Sequence, residues 1–222
     1  MHEIAWITLL TLALAGAATL LMLPPALLLA WVLAHRRFRG RLLLETFVSL
    51  PLVMPPVATG LILLMVLAPR GLLGPYLAAV GIEIVFTWKA VVIAMAVMGM
   101  PLLVRTARAG FEQVDARYER VAATLGASPF RVFLTVTLPL ALPAVAAGAV
   151  LSFARAIGEF GATMMIAGSI PGSTRTLAVA IYSFAETGRD AEAAQLVLVS
   201  AVIAFAALAL ANWIGARSGM RT

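Results

Sequence analysis

Between Gly110 and Pro139 the chain reads GFEQVDARYERVAATLGASPFRVFLTVTLP, the longest charged stretch in an otherwise apolar sequence. Val114, Tyr118, Val121, Ala122 and Leu125 recur at i, i+4, i+7, i+8 and i+11, which is one face of a helix. Glu112, Asp115, Arg117, Glu119 and Arg120 fall on other faces. Gly126 follows as a left-handed C-terminal cap. Ser128 and Pro129 read as the N-cap and first position of a second helix. Phe130, Phe133 and Val136 then carry an apolar face up to Leu138 and Pro139. The spacing predicts a small helix–turn–helix knob. It suits docking of a soluble partner, or a helix lying on lipid headgroups. The turn at Gly126 and the alternating charge signs favour the compact docking form.

The surroundings of this knob set the fold class. The chain has 222 residues, 63% hydrophobic and 12% charged, and a mean hydropathy of +1.03. That excess of apolar residues points to lipid as the solvent. A helix needs roughly 20 apolar residues to cross the hydrocarbon core. Five segments qualify: about 7–34, 43–67, 86–108, 139–167 and 193–215. In lipid each must satisfy its own backbone, so each is expected to be helical. The prediction is an all-α integral membrane protein, residues 1–222 forming one domain of five transmembrane helices, with the knob between spans three and four. Ile4 to Ala34 lacks charge and follows no basic segment, so it reads as a retained first helix, not a signal peptide.

Arginines give the expected orientation. The first connection holds Arg36, Arg37, Arg39 and Arg41. The third holds Arg105, Arg108, Arg117, Arg120 and Arg131, and the tail holds Arg217 and Arg221. Positive charge collects inside, which places these loops and the C-terminus in the cytoplasm and the N-terminus outside. The net charge of +6 is accounted for by this bias and not by nucleic acid. Lys89, beside Trp88, reads as an interfacial anchor. In the second span Pro51, Pro55, Pro56 and Gly60 predict a bent or broken helix.

In the fourth span, Ala144, Gly148, Ser152 and Ala156 form a small-residue stripe that permits close helix approach. Arg155 and Glu159, four apart, are expected near the middle of that span. Two readings stand: an ion pair that holds the bundle, or a pathway and gate role. The segment from Gly168 to Tyr182, with Thr174, Arg175 and Thr176, reads as an external loop.

Enzyme classes find no support. No cysteine is present, and His2 and His35 cannot form a metal cluster. Neither G-x-S-x-G nor G-x-x-x-x-G-K-[ST] occurs, so neither a nucleophile elbow nor a nucleotide loop is expected. A stand-alone carrier or channel is the rival of a different class. It would be expected to show an inverted repeat or a polar midplane site, and neither is evident.

The knob resembles the coupling-helix signature of permease subunits in binding-protein-dependent ABC importers. Val121 and Ala122 stand at the signature's two alanines, Gly126 at its glycine, and Val136, Leu138 and Pro139 at its ending. Arg120 occupies the usual glutamate position, with Glu119 one residue earlier, so the acidic contact to the ATPase is left unassigned. LPLVMPPVATG, LGASPFRVFLTVTLPLALP and SFARAIGEFGATMMIAGSIPGSTRTLAVAIY resemble the molybdate-type permeases, with sulfate and tungstate permeases as relatives. The resemblance implies a non-catalytic subunit of a bacterial inner-membrane importer that forms a homodimer. It implies two cytoplasmic ABC ATPases, which carry the ATP and Mg²⁺, and one extracytoplasmic oxyanion-binding protein. Tyr118, Glu119, Arg120, Val121, Ala122, Ala123 and Gly126 would form the ATPase-coupling surface. Thr174, Arg175 and Thr176 would lie near the external gate and binding-protein contact, or in an ordinary solvated loop.

Overall fold

A computed structural model describes residues 2–217, apart from the side chain of Arg217. Arg221 and the tail around it lie outside the described residues, as does any test of their expected cytoplasmic place. The order is α1 (His2–His35), α2 (Arg41–Val53), α3 (Pro56–Leu67), α4 (Gly74–Ala79), α5 (Trp88–Glu112), α6 (Ala116–Thr124) and α7 (Pro129–Val132). A π-helical turn (Phe133–Thr137) leads into α8 (Leu138–Ile157), then α9 (Gly161–Ala167), α10 (Leu177–Glu186) and α11 (Asp190–Arg217).

Among the described residues, four helices are long and apolar enough to cross a membrane: His2–His35, Trp88–Glu112, Pro129–Ile157 and Asp190–Ala216. The pair α2 and α3 makes a fifth candidate, bent by 113° at residues 54–55. Pro55 and Pro56 cause the break, since neither can donate a backbone hydrogen bond back into α2. The expected bend in the second span is therefore present.

α5 is the central helix, packed between α1 and α8. Its contact faces are small: Ala90, Ala94 and Ala107 are buried, as are Ala15, Ala18, Ala26 and Ala30 of α1. In lipid, close van der Waals approach replaces the hydrophobic drive, and small side chains supply it. Ala144, Gly148, Ser152 and Ala156 of α8 are buried as the stripe predicts. Ser152 Oγ donates to the Gly99 carbonyl of α5 at 3.1 Å. Leu9, Leu20, Leu28, Leu198, Val202 and Phe205 point outward from α1 and α11, as lipid-facing side chains do.

Two expectations are corrected. The fourth span is not one helix over 139–167. It starts ten residues earlier, at Pro129, runs through the π turn, and breaks at residues 158–160 between Gly158 and Gly161. Nor is 168–182 a loop throughout, because Leu177 opens α10. The Leu177 N–H donates to Thr11 Oγ1 of α1 at 2.8 Å, which fixes the start of α10 against the first span. At the end of the bundle opposite the arginine-rich connections, Arg189 bonds Glu3 and Glu192, each at 3.1 Å. The bonds to Glu3 and then Glu192 raise its pKa above the usual guanidinium value.

Candidate functional site: the knob and the broken helices

The knob folds as its caps dictate. Asp115 is the N-cap of α6, and its carboxylate accepts from the Arg117 N–H at 2.9 Å. Periodicity alone counts Asp115 among the polar-face charges and Val114 within the helix. In fact Val114 precedes the cap. At the other end Gly126 takes φ +83°. The Ala127 N–H reaches the Ala122 carbonyl at 3.1 Å and the Gly126 N–H reaches Ala123 at 3.0 Å. This double closure is a Schellman motif, and it needs the left-handed residue that glycine provides. Ser128 then caps α7, accepting from the Arg131 N–H at 3.4 Å, with Pro129 in its first turn.

α6 buries none of its residues. Tyr118, Val121 and Leu125 are 59%, 58% and 83% exposed, and Phe130 of α7 is also exposed. The apolar face predicted from periodicity therefore points away from the bundle. Arg120 and Ala123 are exposed beside it, and Ala122 is half-buried. Glu119 behaves differently from these neighbours. Its Oε1 accepts from Thr137 Oγ1 at 2.5 Å and lies 3.3 Å from His35 Nε2. Thr137 closes the π turn, and His35 ends α1, stacked on Trp31 with ring centroids 5.4 Å apart. A cleft of about 310 Å³ separates α6 from that surface, lined among others by Trp31, Glu119, Phe133 and Thr137. Neither His35 nor Thr137 was tied to the knob by the sequence. Their contact spans 18 residues in one case and 84 in the other, and no spacing rule links them.

Beside the knob, Arg108 of α5 bonds Glu45 of α2 and Glu112 of its own helix, each at 2.7 Å. Arg105 and Arg108 thus lie on α5 and not in the loop.

At the other end of α8 the chain breaks, and Glu159 sits in the break. It lies past the end of α8 and not within a continuous helix, as an unbroken span would place it. Its Oε2 pairs with Arg155 Nη1 at 2.8 Å, and its Oε1 accepts from the Ala162 N–H at 2.9 Å. The carboxylate is 1% exposed, while the Arg155 side chain is 32% exposed. One carboxylate thus ends α8 and starts α9. α9 packs along α3, the second half of the bent pair. The approach is close enough that a Cβ on Gly60 would lie 2.7 Å from the Ala162 Cα, and one on Gly161 would lie 2.9 Å from the Pro56 Cβ. The two broken helices therefore meet at their breaks. On these same helices Thr59 and Thr163 hold buried hydroxyls that find no hydrogen-bond partner among the described residues. Sequence reasoning missed both; Gly158 and Gly161 around Glu159 were the available signal for the break.

The 168–176 segment is exposed at Ile170, Pro171 and Gly172 but anchored beyond them. Thr174 and Thr176 are fully buried. Thr174 Oγ1 donates to the Ala167 carbonyl at 3.0 Å and accepts from the Ile170 N–H at 2.9 Å. Thr174 is thus a structural clasp. Arg175, half-exposed, donates from Nε to Ser169 Oγ at 3.1 Å. Phe86, at a left-handed φ of 59°, joins its N–H to the Ile166 carbonyl of α9 at 3.0 Å.

Comparison with known proteins now bears on this geometry. Residues 26–219 match the family described as binding-protein-dependent transport system inner membrane component. The molybdenum transport system permease protein of Haemophilus influenzae is 43% identical over 210 residues, 94% of this chain and 92% of its own. The sulfate transport system permease protein CysT of Escherichia coli is 40% identical over 156 residues, covering 70% of this chain and 56% of its own. Among solved structures, a bacterial alginate ABC transporter in complex with a pentasaccharide-bound periplasmic protein aligns with a TM-score of 0.68. It covers 98% of this chain and 80% of that one at 18% identity, a likeness of fold alone.

Proposed function

The chain belongs to the inner-membrane components of binding-protein-dependent transport systems, and we propose that it is the permease of an ATP-driven molybdate importer. It is a multi-pass inner-membrane protein and not itself an enzyme; hydrolysis belongs to a separate ATPase, and cargo capture to a binding protein. The observation that carries the coupling role is the exposed knob. Tyr118, Val121 and Leu125 form an apolar face left largely uncovered by the described residues, on a helix capped at both ends. The cargo rests on the full-length likeness to molybdenum permeases, against a likeness to a sulfate permease that spans little over half of that protein.

In this reading two copies of the chain enclose the pathway, with the arginine-rich end and the knob in the cytoplasm. Tyr118, Val121 and Leu125 seat in the ATPase surface, Arg120 and Ala123 flank them, and Ala122 and Gly126 keep the helix short. ATP and Mg²⁺ act on the ATPase, so this chain contributes movement, not chemistry. The junction of α3 with α9 is the pathway's gate, because paired discontinuous helices are where membrane transporters place their cargo sites. Glu159 neutralises Arg155, which keeps the pathway from holding an oxyanion tightly. Arg175, half-exposed beside Ser169, faces the binding protein.

The test is uptake into proteoliposomes holding the permease, its ATPase and the binding protein, with molybdate as cargo and tungstate and sulfate as competitors. Molybdate uptake that requires ATP and is spared by excess sulfate is expected. Sulfate uptake at equal efficiency transfers the assignment to the sulfate class. Uptake without the ATPase identifies a stand-alone carrier.

A further inference from the structure

We propose that Glu119 is a positioning residue that transmits motion from the knob to the membrane helices, and not a contact to the ATPase. The proposal rests on the coupling role above.

α6 buries no residue, and a cleft of about 310 Å³ lies between it and the bundle. Across that cleft Glu119 makes two polar contacts on one carboxylate oxygen. One is the hydrogen bond from Thr137 at the base of the fourth span; the other is the approach of His35 at the end of the first. The side chain is 22% exposed, against more than half for Tyr118 and Val121 on the outward face. A carboxylate turned inward and engaged on two sides is poorly placed to meet a soluble partner. It is well placed to pull on two transmembrane helices at once.

What it grips is a movable part. Phe133–Thr137 is a π turn, one residue out of step with the α-helices before and after it. Such turns are uncommon and concentrate at functional positions. Returning the turn to α register would rotate and shift the base of the fourth span, which gives two discrete arrangements. Thr137 is the last residue of this turn, and its hydroxyl is the one Glu119 accepts from. Phe133, the first, is edge-on to both Trp31 and Phe111, with centroids 6.2 and 5.9 Å away. Displacement of α6 therefore loads the turn at its far end while aromatic packing holds its near end. Coupling needs an element with two states that both sites bias. The π turn is that element, and Glu119 is its handle.

The experiment uses the reconstituted importer, with permease, ATPase and binding protein in proteoliposomes and molybdate as the probe. It reads ATPase retention on purification, ATP hydrolysis, and uptake per ATP hydrolysed. In Glu119→Ala the ATPase stays bound, and uptake per ATP falls roughly fivefold or more, the scale of an ordinary allosteric coupling. Thr137→Val, which removes only the hydroxyl, lowers the same ratio. The double variant is no worse than the more damaged single one. Glu119→Gln, whose amide oxygen still accepts from Thr137, recovers part of the ratio. Loss of the ATPase from Glu119→Ala, or equal falls in hydrolysis and uptake, would overturn the proposal and make Glu119 a docking residue. An unchanged ratio in Thr137→Val would overturn it as well, including where Glu119→Ala fails to assemble. If wild type itself retains no ATPase, the failure lies with the coupling role and not with Glu119 alone.

Discussion

At the start of the helix Pro129–Ile157, Glu119 reaches in from the knob to Thr137; at its end, Glu159 reaches on to the Ala162 N–H. Each glutamate joins a short helix to the same long one, but they do so in different surroundings. Glu119 is partly open to solvent beside a cleft, and its partners are a hydroxyl and an imidazole. Glu159 is sealed, and its partners are a guanidinium and a helix N-terminus. A pair with one sealed partner is costly to break, because Arg155 would keep its charge while losing the carboxylate that balances it. A tie across a cleft costs little to break, because water enters in its place. The comparison therefore separates a fastening from a linkage along a single span.

The strongest test of the fastening is Glu159→Leu. It strands Arg155 and opens the N-terminus of α9. A fully buried pair costs roughly 3–5 kcal/mol to break; with a third of Arg155 exposed, about 2–3 kcal/mol is expected. Subunit levels in the membrane and the unfolding midpoint in detergent should both fall. Glu159→Gln keeps an acceptor for Ala162 and should lie between. A Glu159→Leu variant with wild-type midpoint would erase the distinction between the two ends.

The second test exchanges glycines that serve different needs. Gly60 is required for space, since its Cβ would meet the backbone of Ala162 at 2.7 Å, and backbone cannot step aside. Gly126 is required for its φ of +83°, with nothing near its Cβ. Gly60→Ala should cost about 1–3 kcal/mol through overpacking and should loosen α3 from α9. Gly126→Ala should cost about 1–2 kcal/mol through left-handed strain. Gly126→Asn should restore most of that loss, since asparagine accepts this conformation. No such rescue is available at Gly60. Differential scanning of the two series in detergent reads the difference directly. Rescue by asparagine at both sites would mean that the α3–α9 approach is not as close as it stands here.

These two glycines also mark what the sequence could say. Gly126 and Pro129 act through their own backbone geometry and Ser128 through a side-chain bond three residues on, so the knob is legible from local order. The bend at Pro55 was legible for the same reason. The break at Glu159 was signalled by flanking glycines, but a long apolar run concealed it, because hydropathy sees composition and not continuity. The π turn left no mark, since FLTVT suits an α-helix equally well. α10 was hidden by its proximity to a Gly- and Pro-rich turn, although LAVAIYSFAE is apolar on a helical period. The inward turn of Glu119 depends on His35 and Thr137 arriving from two other elements. Only tertiary packing provides that, so local order alone groups Glu119 with its exposed neighbours on the knob.

The smallest expected effect concerns the middle of the same helix. Ser152 is buried and bonded to the Gly99 carbonyl at 3.1 Å, which makes it look as important as the two ends. That carbonyl already accepts within α5, as helix geometry requires, so removal of the hydroxyl orphans nothing. Ser152→Ala should cost only about 0.6 kcal/mol, the average for such bonds between membrane helices. The small side chain, which lets α8 lie against α5, is preserved. Transport and unfolding midpoint should both stay near wild type, whereas Ser152→Leu should lower both by wedging the helices apart. A span held at mid-length by shape alone can move as a rigid rod. It would then carry displacement from the π turn to the broken helices without absorbing it. A Ser152→Ala loss as large as that of Glu159→Leu would place a third fastening in the centre, and the rod could no longer slide between its ends.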